Sequence, residues 1–217
     1  SEADRDAARQ FDGSFNRWYL DPVFRGGYPP DAVADRVRRG HLPPGDLPFV
    51  QAGDLRAIAA PLDFLGLNYY SRNVLSGTTG PAGEPPPRSV PMAPRESLTD
   101  MGWEVWPQGL EDLLRRLHRE YHPPRISVTE NGAAYADAPD ADGRVRDGRR
   151  RAFLAGHLRA LHRAVTAGVP VAGSQWVWVP PDAVVGRSAP MIRPRSATPR
   201  ARAVAWAAPS ATSIRAI

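Results

Sequence analysis

The chain has 217 residues, 42% hydrophobic and 24% charged, a balance that supports one globular domain or two small ones and excludes a disordered or fibrous class. No apolar run is long enough to span a bilayer, and the absence of cysteine excludes a disulfide framework and any thiolate metal site. The formal charge of +5 comes from 28 basic residues, all arginine; six follow Asp182, beyond which no acid occurs, and the remainder holds 22 arginines against 23 acids.

In chain order, residues 1 to 11 read as a helix end. They lead into Phe11-Asp12-Gly13-Ser14-Phe15-Asn16-Arg17-Trp18-Tyr19-Leu20-Asp21-Pro22, whose apolar residues recur at roughly helical spacing. Asp31 to Arg39 predicts a short helix capped by Asp31 and stopped by Gly40. Asp54 to Ala60 predicts another. Asp63 to Tyr70 is a nearly continuous apolar run, the pattern of a parallel strand covered on both faces. Residues 77 to 97, rich in Pro, Gly and Ser, predict a long loop.

Gln108 to Tyr121 predicts an amphipathic helix with Leu110, Leu113, Leu114 and Leu117 on one side. Pro123-Pro124 ends it, and a strand follows at Arg125 to Thr129. Asp142-Gly143 marks a turn. Arg149 to Ala167 predicts a second long helix, with Phe153, Leu154, Leu158, Leu161 and Val165 inward and Gly168 as the stop. Val169 to Trp178 reads as a third strand. Strand, helix, strand, helix, strand argues for an α/β architecture with right-handed crossovers. From Pro180 onward periodicity fails, and no regular element is expected.

The sharpest local feature is Thr129-Glu130-Asn131-Gly132, directly after an apolar segment. By itself it fits a strand ending in a turn, because Asn-Gly is a common turn dipeptide. The functional reading is a carboxylate at the C-terminal end of a barrel strand, where (β/α)₈ active sites lie, although for the motif alone the turn reading is favoured. Asn68-Tyr69-Tyr70 closes the preceding strand and Trp178 the following one. A carboxylate, an amide and aromatic rings at successive strand ends suit a sugar, which offers hydroxyls to bond and an apolar face to stack. Taken singly, each ring is as well explained by core packing.

Four blocks then carry a resemblance. Phe15 to Pro29, Asp63 to Arg72, Gly102 to Leu110 and Ile126 to Ala133 resemble, in order and spacing, glycoside hydrolase family 1, the retaining β-glucosidases. The resemblance covers roughly residues 1 to 178 and implies the C-terminal portion of a TIM (β/α)₈ barrel, about its last three strands with their helices. Residues 179 to 217 would be an irregular Ala/Pro/Arg-rich tail, out of frame or disordered. Glu130 matches the family's nucleophile, which forms a covalent glycosyl-enzyme on a terminal β-D-glucoside. Tyr70 matches the tyrosine that hydrogen-bonds it, and Asn68 matches a polar residue near the reacting sugar. Trp103 would lie near the leaving group, and Trp178 would help bind substrate.

Retaining chemistry also needs a second carboxyl group about 5 to 5.5 Å from the first. The family carries it in an Asn-Glu-Pro motif, and no Asn-Glu-Pro occurs here. The family's sugar-gripping continuation after the last strand also departs: Trp178 and Asp182 match, but its Asn, Glu and Trp positions fall on Ala183, Val185 and Gly186. The alternative expectation is therefore a catalytically incompetent piece of such an enzyme. The expected partner is a small-molecule β-glycoside or oligosaccharide, together with the upstream half of the barrel.

Histidines 41, 118, 122, 157 and 162 share no zinc-like spacing with carboxylates, and no cofactor or metal is expected. The tail arginines alternate with Pro and Ala and only Trp206 could stack, so neither nucleic acid nor a membrane is an expected partner. Without a leader-like N-terminus, the expected location is cytoplasmic.

Overall fold

The computed structural model describes residues 1–81, 83, 86–90, 93–94, 97–136 and 139–176, and the backbone of 212–216. These form two compact units, one of residues 1–62 and 73–92, the other of 63–72 and 93–217.

The first unit is mainly helical. Helix α1 (Glu2–Asp12) starts at a capping box, in which the Ser1 hydroxyl accepts from the Asp4 backbone and the Asp4 carboxylate reaches back to Ser1. It runs through a π-helical turn (Gly13–Arg17) into α2 (Trp18–Arg25), which holds Pro22 inside and closes at Gly26. Helices α3 (Pro30–Arg38) and α4 (Asp54–Ile58) follow. Asp31 does not cap α3, contrary to expectation: the cap position is Pro29, and no side chain fills it. The Asp31 carboxylate instead takes both prongs of Arg17 at 2.7 Å and one bond from Arg9 at 2.7 Å. Arg17 also holds Asp12, and Arg9 also holds Asp6 and Asp35. This charge network ties α1, the π turn and α3 together. Leu75–Ser76 (β2), just before the predicted long loop, and Arg88–Ser89 (β3), inside it, pair as a short antiparallel ladder.

The second unit carries the sheet. Strand β1 (Leu65–Tyr69), α5 (Pro107–Tyr121), β4 (Ile126–Glu130), α6 (Gly148–Thr166) and β5 (Val171–Ser174) alternate as the sequence predicts. β1 pairs parallel with β4, and β4 pairs parallel with β5. All five residues of β1 are buried, which explains its unbroken apolar reading. Leu65, Leu67, Ile126 and Val128 of the strands, Leu110, Leu114 and Leu117 of α5, and Phe153, Ala160 and Ala164 of α6 are each at most 1% exposed. They are the core, each large side chain contributing about 1.5–3 kcal/mol on burial.

The inward face of α6 differs from the expected one. Phe153, His157, Ala160 and Ala164 are buried, whereas Leu158 and Val165 are 47% and 46% exposed. The helix is turned by about one residue, roughly 100°, from the most hydrophobic face. Small side chains explain the choice, because they let helices approach closely. A Cβ on Gly156 would stand 3.0 Å from the Pro107 ring at the start of α5.

The tail also holds a regular element that the sequence did not predict. Residues Thr212–Ala216 form β6, antiparallel to β1 on the edge that β4 leaves open. An open strand edge is a row of unmade backbone hydrogen bonds, and a short β-branched segment such as Thr-Ser-Ile satisfies it without needing periodicity.

Candidate active site

The sheet register brings the predicted residues together. Asn68 of β1 lies opposite Glu130 of β4, after an irregularity between Leu67 and Asn68. Parallel pairing puts the ends of both strands on one rim of the sheet. There the Tyr70 hydroxyl donates to Glu130 Oε2 at 2.9 Å, and Thr129 Oγ1 donates to Asn68 Oδ1 at 2.7 Å. Trp103 joins them: its ring lies 5.3 Å from that of Tyr70, tilted by 53°. Trp178 lies outside the described residues, as does the end of the third predicted strand; Trp176 packs against Ala133, Tyr135 and Phe153.

Three further residues build the rim and were not singled out from sequence. Asn131, read as half of a turn signal, is fully buried, and its Nδ2 donates to the Tyr69 carbonyl at 2.5 Å. It therefore locks the end of β4 to the end of β1. Its Oδ1 has no partner among the described residues. Arg72 and Glu104 form a two-pronged ion pair at 2.8 and 3.0 Å. They lie 32 residues apart, and no local spacing links them.

The segment bearing Trp103 is held from several sides. Thr99 accepts from the Trp103 backbone N–H through its hydroxyl, and its own N–H donates to the Trp103 carbonyl at 2.8 Å. Tyr69, pointing away from the rim, donates its hydroxyl to the Trp106 carbonyl at 2.6 Å. Burial pushes the Tyr69 hydroxyl well above the usual tyrosine range, so it stays a neutral donor. Gly109 is required there, because a Cβ would run into the Tyr69 hydroxyl and the Trp106 ring.

Chemically, the rim presents a carboxylate with a phenolic donor on one oxygen, a neighbouring amide, and an aromatic face. A carboxylate oriented by a neighbouring hydroxyl donor is a group able to attack an electrophilic carbon. Among the described residues no cluster of three or more His, Asp or Glu could hold a metal ion.

The described unit is an α/β arrangement with a tyrosine-held carboxylate at the C-terminal ends of adjacent parallel strands. Comparisons with known proteins give the family. The model of glycosyl hydrolase family 1 matches residues 1–189, and the chain belongs to that family. It is 38% identical over 154 residues to β-glucosidase A of Acetivibrio thermocellus, covering 70% of this chain and 33% of that one. Against β-glucosidase A of Thermotoga maritima it is 35% identical over 182 residues, 82% of this chain and 38% of that one. Among solved structures, a β-glucosidase from Exiguobacterium marinum superposes with a TM-score of 0.71 at 35% identity, over 81% of this chain and 38% of that one. The Thermotoga maritima enzyme in complex with castanospermine gives 0.67 at 34% identity, over 82% and 38%. The chain thus spans between a third and two fifths of the length of these relatives.

Proposed function

We propose that this chain carries the nucleophile side of a retaining β-glycosidase site, acting on terminal β-D-glucosides or closely related β-glycosides. The observation that carries the reading is the 2.9 Å hydrogen bond from Tyr70 to Glu130 across two adjacent parallel strand ends. In the proposed reaction, one Glu130 oxygen attacks the anomeric carbon while the bond to the leaving oxygen breaks. The departing oxygen takes a proton from a second carboxyl group, and water later cleaves the glycosyl ester with that group acting as base. In this reading Asn68 bonds a sugar hydroxyl and Trp103 faces the leaving group. The sheet of β5, β4 and β1 with α5 and α6 is read as the last three strands of a (β/α)₈ barrel.

The second carboxyl group is assigned to no residue of this chain. Glu104, beside the site, is committed to Arg72. A chain spanning 33–40% of its curated relatives supports a second, narrower reading: by itself it holds the nucleophile of its family without the partner that protonates the leaving group. An activated 2-deoxy-2-fluoro-β-glucoside, whose leaving group needs no proton, separates the two. Mass increase on the peptide containing Glu130, abolished in Glu130→Gln, supports the nucleophile; label on another residue refutes it. Turnover of an unactivated aryl β-glucoside by the same preparation would refute the narrower reading.

A further inference from the structure

Three ties fasten residues 69–72 to residues 103–106. Tyr69 donates to the Trp106 carbonyl at 2.6 Å, and Ser71 Oγ donates to the Glu104 carbonyl at 2.8 Å. The third is the Arg72–Glu104 pair, with the guanidinium carbon 3.6 Å above the Trp106 ring. A bidentate pair fixes the guanidinium plane, and stacking on an indole fixes its second axis. The Glu104 side chain is 17% exposed and that of Arg72 34%, so solvent screens the pair only partly. Tyr70 and Trp103, whose rings are in contact, are the sequence neighbours of this clamp, and Tyr70 reaches Glu130.

We infer that the Arg72–Glu104 pair is a positioning device that sets the Trp103 face at the leaving-group side of Glu130. Neither residue touches the reacting atoms. Arg72, two residues beyond Tyr70, pulls on Glu104, and Glu104 carries Trp103 with it. Selectivity for aromatic leaving groups then depends on an ion pair behind the site rather than on Trp103 alone. This inference rests on reading Glu130 as the nucleophile.

The test uses the full chain, its Arg72→Gln, Arg72→Lys and Glu104→Gln variants, and two fluorinated glucosides, one losing dinitrophenolate and one losing fluoride. Arg72→Gln is expected to slow labelling of Glu130 by the dinitrophenyl reagent roughly tenfold more than labelling by the fluoride reagent. Arg72→Lys, which keeps charge without the planar fork, falls between. A merely structural role would slow both reagents equally. Hydrogen exchange of the Trp103 to Trp106 amides in Arg72→Gln is expected to accelerate about tenfold or more, with β1 and β4 unchanged. Unchanged exchange there, or equal loss with both reagents, overturns the inference. If the parent chain labels with neither reagent, the nucleophile reading fails and the inference that rests on it falls too, an outcome distinct from equal loss with both reagents. If Arg72→Gln does not fold, Glu104→Gln, which keeps the shape of the pair, gives the same readouts.

Discussion

Tyr70 donates its hydroxyl hydrogen to Glu130 Oε2 across the two strand ends. Tyr70→Phe is expected to slow fluorinated-glucoside labelling of Glu130 by roughly 10- to 100-fold, the kinetic equivalent of about 1.5–3 kcal/mol. Labelling at the parent rate would show that the bond does not matter to attack. Gly109 makes a stability prediction at the same scale. Gly109→Ala pushes a methyl group against the Tyr69 hydroxyl and the Trp106 ring, and is expected to cost about 1–3 kcal/mol in urea unfolding. Residue types at the site were legible because the chemistry demands them: a carboxylate, a tyrosine and an amide stand at strand ends. Arg72, Glu104 and Asn131 were not. A guanidinium and a carboxylate pair through space, and an Asn before Gly looks identical in a surface turn and in a buried lock between strands.

Among the elements, α6 carries the clearest pH dependence. His157 is fully buried, its ring stacks on Phe153 at 3.9 Å, and its Nδ1 lies 2.9 Å from the Phe153 carbonyl. Nδ1–H donates to that carbonyl, and Nε2 has no partner among the described residues. Burial holds the imidazole below its ordinary value of 6.5. A base whose folded value is depressed binds more protons when unfolded, so stability is full above about 6.5 and falls as pH drops below it. The melting temperature is expected to fall more steeply between pH 7.5 and 5.5 in the parent chain than in His157→Leu. Equal slopes would remove His157 as the cause. The position and type of both long helices and of the first two parallel strands followed from periodicity and from the Pro and Gly stops; Gly168, at φ +87°, ends α6 as read. The rotation of α6 did not follow, because hydrophobicity ranks Leu158 above Ala160 whereas close packing ranks them the other way. β6 was invisible for a related reason: strand addition at an edge is decided by the edge.

For the whole molecule, the core is the part most sensitive to truncation. Leu67→Ala, at a position with no exposure, is expected to cost about 2–5 kcal/mol by chemical denaturation. A loss below that range would mean that the sheet relaxes around the gap, as an incompletely enclosed core can. The purified 217-residue chain is expected to give no turnover of an aryl β-glucoside above its Glu130→Gln control; turnover would reveal a second carboxyl group supplied from within it. By itself the sequence determined the order of strands and helices, the family, and the nucleophile candidate with its tyrosine. Those depend on local periodicity and on short motifs whose residues are adjacent in the chain. Only the tertiary structure decided that Asn68 faces Glu130 across a parallel register, that Asn131 is a buried lock, and that Arg72 clamps Glu104 over Trp106. Each is a contact between residues about 30 to 60 positions apart, made by the pairing of β1 with β4 and the return of the chain between them, and no local pattern encodes such a contact.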